Sequence, residues 1–161
     1  MAAGDATGTK QVFKTNLTDT DSRDLEGIGT IRREPDGKEY KWVRYREGTA
    51  ALDIVAGDPL GYYTDGSDGD VTADASDTDG VFAGVAMAAV TVDNIYMWIQ
   101  TKGIATLSSA LTAGSVGNAI KYNTGADKKM TVAAAVTDQI SGAYVNSSGP
   151  KVLLYGTGSA N

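Results

Sequence analysis

YTDGSDGDVT at residues 63–72 and YNTGADKKMT at residues 122–131 fit one pattern, Tyr-x-x-Gly-x-Asp-x-x-apolar-Thr, without a gap. An Ala-Gly-polar step precedes each copy, Ala56-Gly57-Asp58 and Ala113-Gly114-Ser115. An apolar-x-Gly step follows each, Phe82-Ala83-Gly84 and Ile140-Ser141-Gly142. Matching flanks in matching order point to a duplicated strand-turn-strand unit. Two such units can close one small β-fold. The expected fold is therefore mainly β, a small β-barrel or two-sheet sandwich built from a weak internal duplication.

Outward from the first copy, Gly27 to Arg46 reads as a hairpin. GIGTIRRE leads into the turn Pro35-Asp36-Gly37, and KEYKWVRYRE returns. Alternation puts Tyr40, Trp42 and Arg44 on one face and Lys41, Val43 and Tyr45 on the other. Ala50 to Thr64 predicts a short strand, a Gly57-Asp58-Pro59 turn and a second strand through Leu60 and Tyr63. Val81 to Val92 is a strand despite its alanines, because Gly84 and the Val/Thr content weaken a helix. IYMWIQTKGIATL, residues 95–107, is the strongest strand, with Gly103 at a bulge or bend. Ala119 to Tyr122, Met130 to Val136, Ile140 to Val145 and Lys151 to Tyr155 continue the theme. A short helical turn fits Ser108 to Ala113.

Residues 1–24 are small and polar, with Phe13 and Leu17 as the main apolar anchors. Such a segment predicts either a frayed terminus or an extended N-terminal arm that orders on a partner, with Phe13 and Leu17 as its pegs. Residues 25–161 predict a single β-domain.

The chain has 161 residues, no Cys, no His and a net charge of −6. Residues 51–100 carry nine acidic groups and no basic one, while the first fifty residues carry nine of each sign. No basic stripe emerges, so nucleic acid is not an expected partner. No apolar run is long enough for a membrane span, and the N-terminus lacks an apolar signal core. The chain reads as soluble and made in a cytoplasm.

Without His or Cys, catalytic triads, thiolate nucleophiles and zinc-thiolate sites are excluded. The dense carboxylates Asp65, Asp68, Asp70, Asp74, Asp77 and Asp79 could attract calcium. Their spacing fits neither the helix-loop-helix calcium loop nor the calcium β-helix repeat. They read as a solvated, mobile acidic loop without metal. No Gly-rich phosphate loop opens a helix. The expectation is a protein without enzymatic activity or cofactor. Trp98, in the most apolar strand, belongs to the core. Trp42, beside Lys41 and Arg44, fits an interface or a stack on a cation.

The series Gly27-Ile28-Gly29-Thr30-Ile31-Arg32-Arg33 and Gly37-Lys38-Glu39-Tyr40-Lys41-Trp42-Val43-Arg44-Tyr45 resembles the opening hairpin of tailed-bacteriophage head decoration (cement) proteins. Those carry a Leu/Ile-Gly-Thr strand and a Lys-x-Tyr-Lys-Tyr/Trp-Val strand there. Ala56-Gly57-Asp58, Gly84-Val85-Ala86 and Tyr96 to Gly103 are similar to their downstream pattern. The resemblance spans about Gly27 to Leu107. It implies a virion structural protein on the capsid exterior, assembled in the host cytoplasm, that binds the major capsid protein and itself as a homotrimer. It would stabilise the head against the pressure of packaged DNA. The candidate capsid or subunit interface is Phe13, Leu17, Tyr40, Trp42 and Arg44. The alternative reading is a carbohydrate-binding or host-adhesion module using Trp42 or the Tyr62-Tyr63 pair.

Overall fold

A computed structural model of the chain describes residues 12–65, 69–109, 111, 115–133, 143–145 and 151–155. The strands in order are β1 (Thr20–Asp21), β2 (Ile31–Arg33), β3 (Glu39–Tyr45), β4 (Pro59–Tyr63), β5 (Asp70–Thr72), β6 (Thr78–Ala86), β7 (Ile95–Thr106), β8 (Ala119–Tyr122), β9 (Met130–Val132), β10 (Ala143–Val145) and β11 (Lys151–Tyr155). No helix occurs among the described residues. Half of the expected helical turn, Ser108 to Ala113, falls outside them.

Five strands close into a barrel in the order β3-β5-β4-β6-β7, with β7 pairing back to β3. The β3–β5 pair is parallel and the others are antiparallel. β2 pairs with β3 through the expected turn, where Gly37 N donates to Glu34 O and Gly37 has φ 84°. Inward side chains fill the barrel: Val43, Tyr45, Leu60, Val71, Met97 and Ile99 are buried together. Each buried side chain of this size contributes about 1.5–3 kcal/mol. β3 is covered on both sides, because Tyr40 and Trp42 enter a second, aromatic cluster on its other face.

β7 serves two sheets. Ile95 to Gln100 pairs with β3, and Lys102 to Thr106 pairs with β11. The β3 register steps from Tyr40↔Gln100 to Glu39↔Lys102, which leaves Thr101 as a bulged residue. Gly103 follows with φ 90°, and Gln100 Nε2 donates to both Lys102 O and Ile104 O. The bend expected at Gly103 is thus held by the side chain just before the bulge. Beyond it lies a small second sheet, β9-β8-β10-β11. Leu107, Ile120, Tyr122, Met130, Val152 and Leu154 form its core against Phe82 and Val85 of β6.

The duplication is visible in the hydrogen bonds. β4 lies between β5 and β6, and β6 continues to β7; β8 lies between β9 and β10, and β10 continues to β11. Pro59↔Val85 and Leu60↔Gly84 correspond to Ala119↔Tyr144 and Ile120↔Ala143. Val85↔Gln100 and Ala86↔Ile99 correspond to Tyr144↔Leu153 and Val145↔Val152. The turns before β4 and β8 also agree. Asp58 N donates to Val55 O and Asn118 N to Ser115 O, while the Asp58 and Asn118 side chains accept from Val55 N and Ser115 N. Gly57 and Gly117 stand at φ 95° and φ 89° in those turns, and Gly69 and Lys128 at φ 107° and φ 54° before β5 and β9.

The structure shifts the repeat by one residue in its first strand. Tyr62, not Tyr63, faces Val71 as Tyr122 faces Met130. Asn118, not Ser115, is the counterpart of Asp58. β4 is one residue longer than β8, and side chains alternate faces along a strand, so one extra residue changes which Tyr is equivalent. Ala113, Gly114 and Ile140 to Gly142 lie outside the described residues.

Candidate functional site

The hairpin aromatics and the N-terminal segment meet on the outer face of β3 and β7. Trp42 and Trp98 are opposite each other in the β3–β7 register, with ring centroids 5.2 Å apart in an edge-to-face arrangement. Tyr96 stacks on Trp42 at 6.4 Å, and Phe13 sets its edge against Trp98 at 5.5 Å. Leu17 packs on the same cluster. The indoles find polar partners, as buried N–H groups require. Trp42 Nε1 donates to Asp24 Oδ1 at 2.9 Å. Trp98 Nε1 donates to Thr15 Oγ1 at 2.8 Å, and that hydroxyl donates onward to Glu26 Oε1. Glu26 Oε1 also accepts from Thr15 N, and Arg32 Nη1 donates to Thr15 O. β1 then adds two residues to β7 opposite Met97 and Tyr96.

Residues 12–24, expected to extend from the domain as an arm, therefore lie on it. Phe13 and Leu17 act as pegs, but into this chain's own cluster of Tyr40, Trp42 and Trp98. Trp42 has no exposure and Tyr40 is buried, so neither presents a surface while the segment is seated. Trp42 is likewise closed to stacking on a sugar. The sequence gives little sign of this arrangement, because Asp24, Thr15 and Glu26 look like ordinary solvated residues. Their only signal is the local Asx pattern of Asp24, whose carboxylate also accepts from Gly27 N and Ile28 N.

Arg44, opposite Tyr96 in the β3–β7 register, makes a two-pronged ion pair with Asp70, Nε to Oδ1 at 2.8 Å and Nη2 to Oδ2 at 2.6 Å. The Asp70 carboxylate holds the guanidinium above its ordinary pKa. Arg46 adds a second positive charge, 3.6 Å from Asp70.

The Asp-rich segment differs from its expectation. Asp70 to Ala75 is buried, and Asp70 to Thr72 is barrel strand β5. Asp74 accepts from Ser76 N, Ser76 Oγ and Ala50 N. These carboxylates are satisfied by guanidinium, hydroxyl and backbone donors, so burial is tolerated. Asp65 is exposed, as expected, and Asp68 lies outside the described residues.

A recess of about 320 Å³ opens between the 56–57 turn, Met87 and Leu107, with Gln100 at its floor. The Gln100 amide nitrogen is already engaged by two carbonyls, so the recess does not gather free polar groups as a small-molecule site does. Among the described residues no three acidic groups come together in a way that could hold a metal. Burial pushes the hydroxyls of Tyr45 and Tyr122 well up, and both donate to backbone carbonyls, of Leu52 and Ala73. Comparison of the chain with protein-family models, with curated proteins and with solved structures finds no match in any of the three.

Proposed function

We propose that this chain is a head decoration protein, which binds the outer surface of a tailed-phage capsid and stabilises it against packaged DNA. One observation carries the reading. Of the stretches that resemble decoration proteins, residues 27–33, 37–45 and 96–103 fall on or beside three adjoining strands, β2, β3 and β7, and residues 56–58 and 84–86 lie just before β4 and at the end of β6, the strand next to β7. A barrel closed by long-range pairing and faced by a pinned N-terminal segment is also a suitable rigid wedge between capsid subunits. Such a role needs neither a catalytic centre nor a cofactor. Its partners are the major capsid protein and, as a homotrimer, further copies of itself. Symmetry multiplies modest contacts into firm attachment.

The test adds purified chain to expanded, undecorated heads of the phage that encodes it. Saturation at a fixed number of copies per capsid, with density at three-fold positions by cryo-EM and a higher temperature of DNA release, is the expected result. Absence of binding to those heads, together with binding to a glycan array, would favour the adhesion reading instead.

A further inference from the structure

The two halves of the duplication differ in one strand. In the first, β3 lies against β7 and runs on to pair with β5 in parallel, with Arg44 N donating to Gly69 O and Arg46 N to Val71 O. That strand closes the barrel. In the second half, the end of β7 takes the place of β3 against β11, with Ile104 opposite Leu153 as Tyr40 is opposite Gln100. It does not run on to β9. Ser108 N donates to Gly57 O and its hydroxyl to Asp58, which turn the chain away toward the first half.

The outer edge of β9 is consequently left without a strand among the described residues, where β9 pairs only with β8. Asn123 N bonds to Lys129 O and Ala133 N to Ala119 O, so Lys129, Thr131 and Ala133 turn their backbone toward β8. Met130 and Val132 turn theirs outward. Met130 is the counterpart of Val71, whose carbonyl receives β3 in the first half. The charge at this edge is reversed. Where β5 carries Asp70 to meet Arg44, the residue just before β9 is Lys129, exposed and preceded by Lys128.

We propose that the outer edge of β9 is an acceptor for an added strand from a neighbouring protein subunit, an extended segment bearing a carboxylate opposite Lys129. The first half supplies the template: a parallel strand, apolar on its inner face, with its charged residue beside the one that β5 or β9 presents. Main-chain bonds give such strand addition its affinity, and the facing charge gives it its choice of partner. The inference rests on the duplication and does not need the capsid reading.

The test uses the full chain and two synthetic peptides, one with the sequence of residues 38–47 and one with the same sequence carrying Arg44→Glu. Hydrogen exchange and fluorescence anisotropy are read together. In the free protein the Met130 and Val132 amides should exchange faster than that of Thr131. The Glu-bearing peptide should slow them and bind at least about tenfold more tightly than the Arg-bearing one, a preference of about 1.4 kcal/mol. Lys129→Glu, a change at an exposed side chain, should reverse that preference. Protected Met130 and Val132 amides in the free protein would mean that the chain covers its own edge, and the proposal would fall. It would fall equally if neither peptide bound, or if both bound alike to the parent chain and to Lys129→Glu.

Discussion

The barrel half, β4 to β7, and the second half, β8 to β11, share a hydrogen-bond pattern and differ in what the pattern carries. In the barrel half the strand edges are closed by β3, and the carboxylates of β5 and its following turn are buried against partners. In the second half the matching positions hold Lys129 and Ala133, and the matching edge is open among the described residues. The same backbone plan can thus serve as a sealed core or as an unfinished one. The outcome depends on a single strand supplied from outside the repeat. The barrel half owes its closure to β3 and to the residues that pin β3 from its outer side, Asp24 and the Phe13–Leu17 segment.

The largest effect expected from this comparison is at that pin. Trp42→Ala removes a fully buried indole and leaves a cavity between Trp98 and Tyr96, at a cost of about 3–5 kcal/mol in urea denaturation. A change below about 1 kcal/mol would mean that β3 is held by its backbone pairing alone. Next comes the charge pair. Asp70→Ala strands Arg44 and Arg46 beside a buried position, and a loss of about 3 kcal/mol is expected, at the low end for broken buried pairs because Arg44 is partly exposed. Lys129→Ala, at the equivalent place in the open half, should stay within about 0.5 kcal/mol of the parent. Equal effects at the two sites would dissolve the distinction between closed and open halves.

Much of this architecture was legible in the sequence where the signal was local. Pro35-Asp36-Gly37 marked the hairpin, and the apolar run from Ile95 marked β7. Ala119 to Tyr122 and Lys151 to Tyr155 coincide with β8 and β11. The duplication was legible too, although a one-residue difference in strand length misaligned its tyrosines. What escaped depends on contacts far apart in the chain. Asp70 and Asp74 look solvated until Arg44, Ala50 and Ser76 are brought to them. Thr15 looks like part of a polar arm until Trp98 donates to it from more than eighty residues away. Polar composition measures the wish for hydrogen bonds, and water is only one way to meet it.

A finer comparison is available in the two turns before β4 and β8, which share one backbone conformation. Gly57 and Gly117 both have positive φ, so alanine is strained at either by about 1 kcal/mol. Their surroundings differ. A Cβ on Gly57 would lie 2.7 Å from Ser108 N, whereas one on Gly117 would meet nothing within 4 Å. Gly57→Ala should therefore cost about 2–3 kcal/mol and Gly117→Ala about 1. The gap between them, measured by thermal unfolding, isolates the contact that turns the end of β7 away from β9. Identical losses would leave backbone strain as the whole effect.

A last comparison between the halves is one of pH. Burial alone would push the Asp74 carboxyl up, but the bonds it accepts from Ser76 Oγ and from the Ala50 and Ser76 amides outweigh burial and hold it below the ordinary value of 3.8. A carboxyl depressed in the folded state binds its proton more readily when unfolded. Its stabilisation is therefore complete above the unfolded value and is lost as pH falls through the lower, folded one. The second half has Ala133 at this position and no such dependence. Asp74→Asn should cost about 1–2 kcal/mol at pH 7, since it exchanges a charged acceptor for a neutral one. That cost should hold level down to about pH 5 and then shrink below about pH 4, as the parent chain loses what the variant never had. Urea melts of both proteins at pH 7, 5 and 3 give the comparison directly. If the difference between them stayed constant to pH 3, the charge on Asp74 would have no part in holding the turn after β5. The turn's stability would then rest on its backbone bonds and on the Ala75 amide held by Asp127, the contact that ties it to the second half.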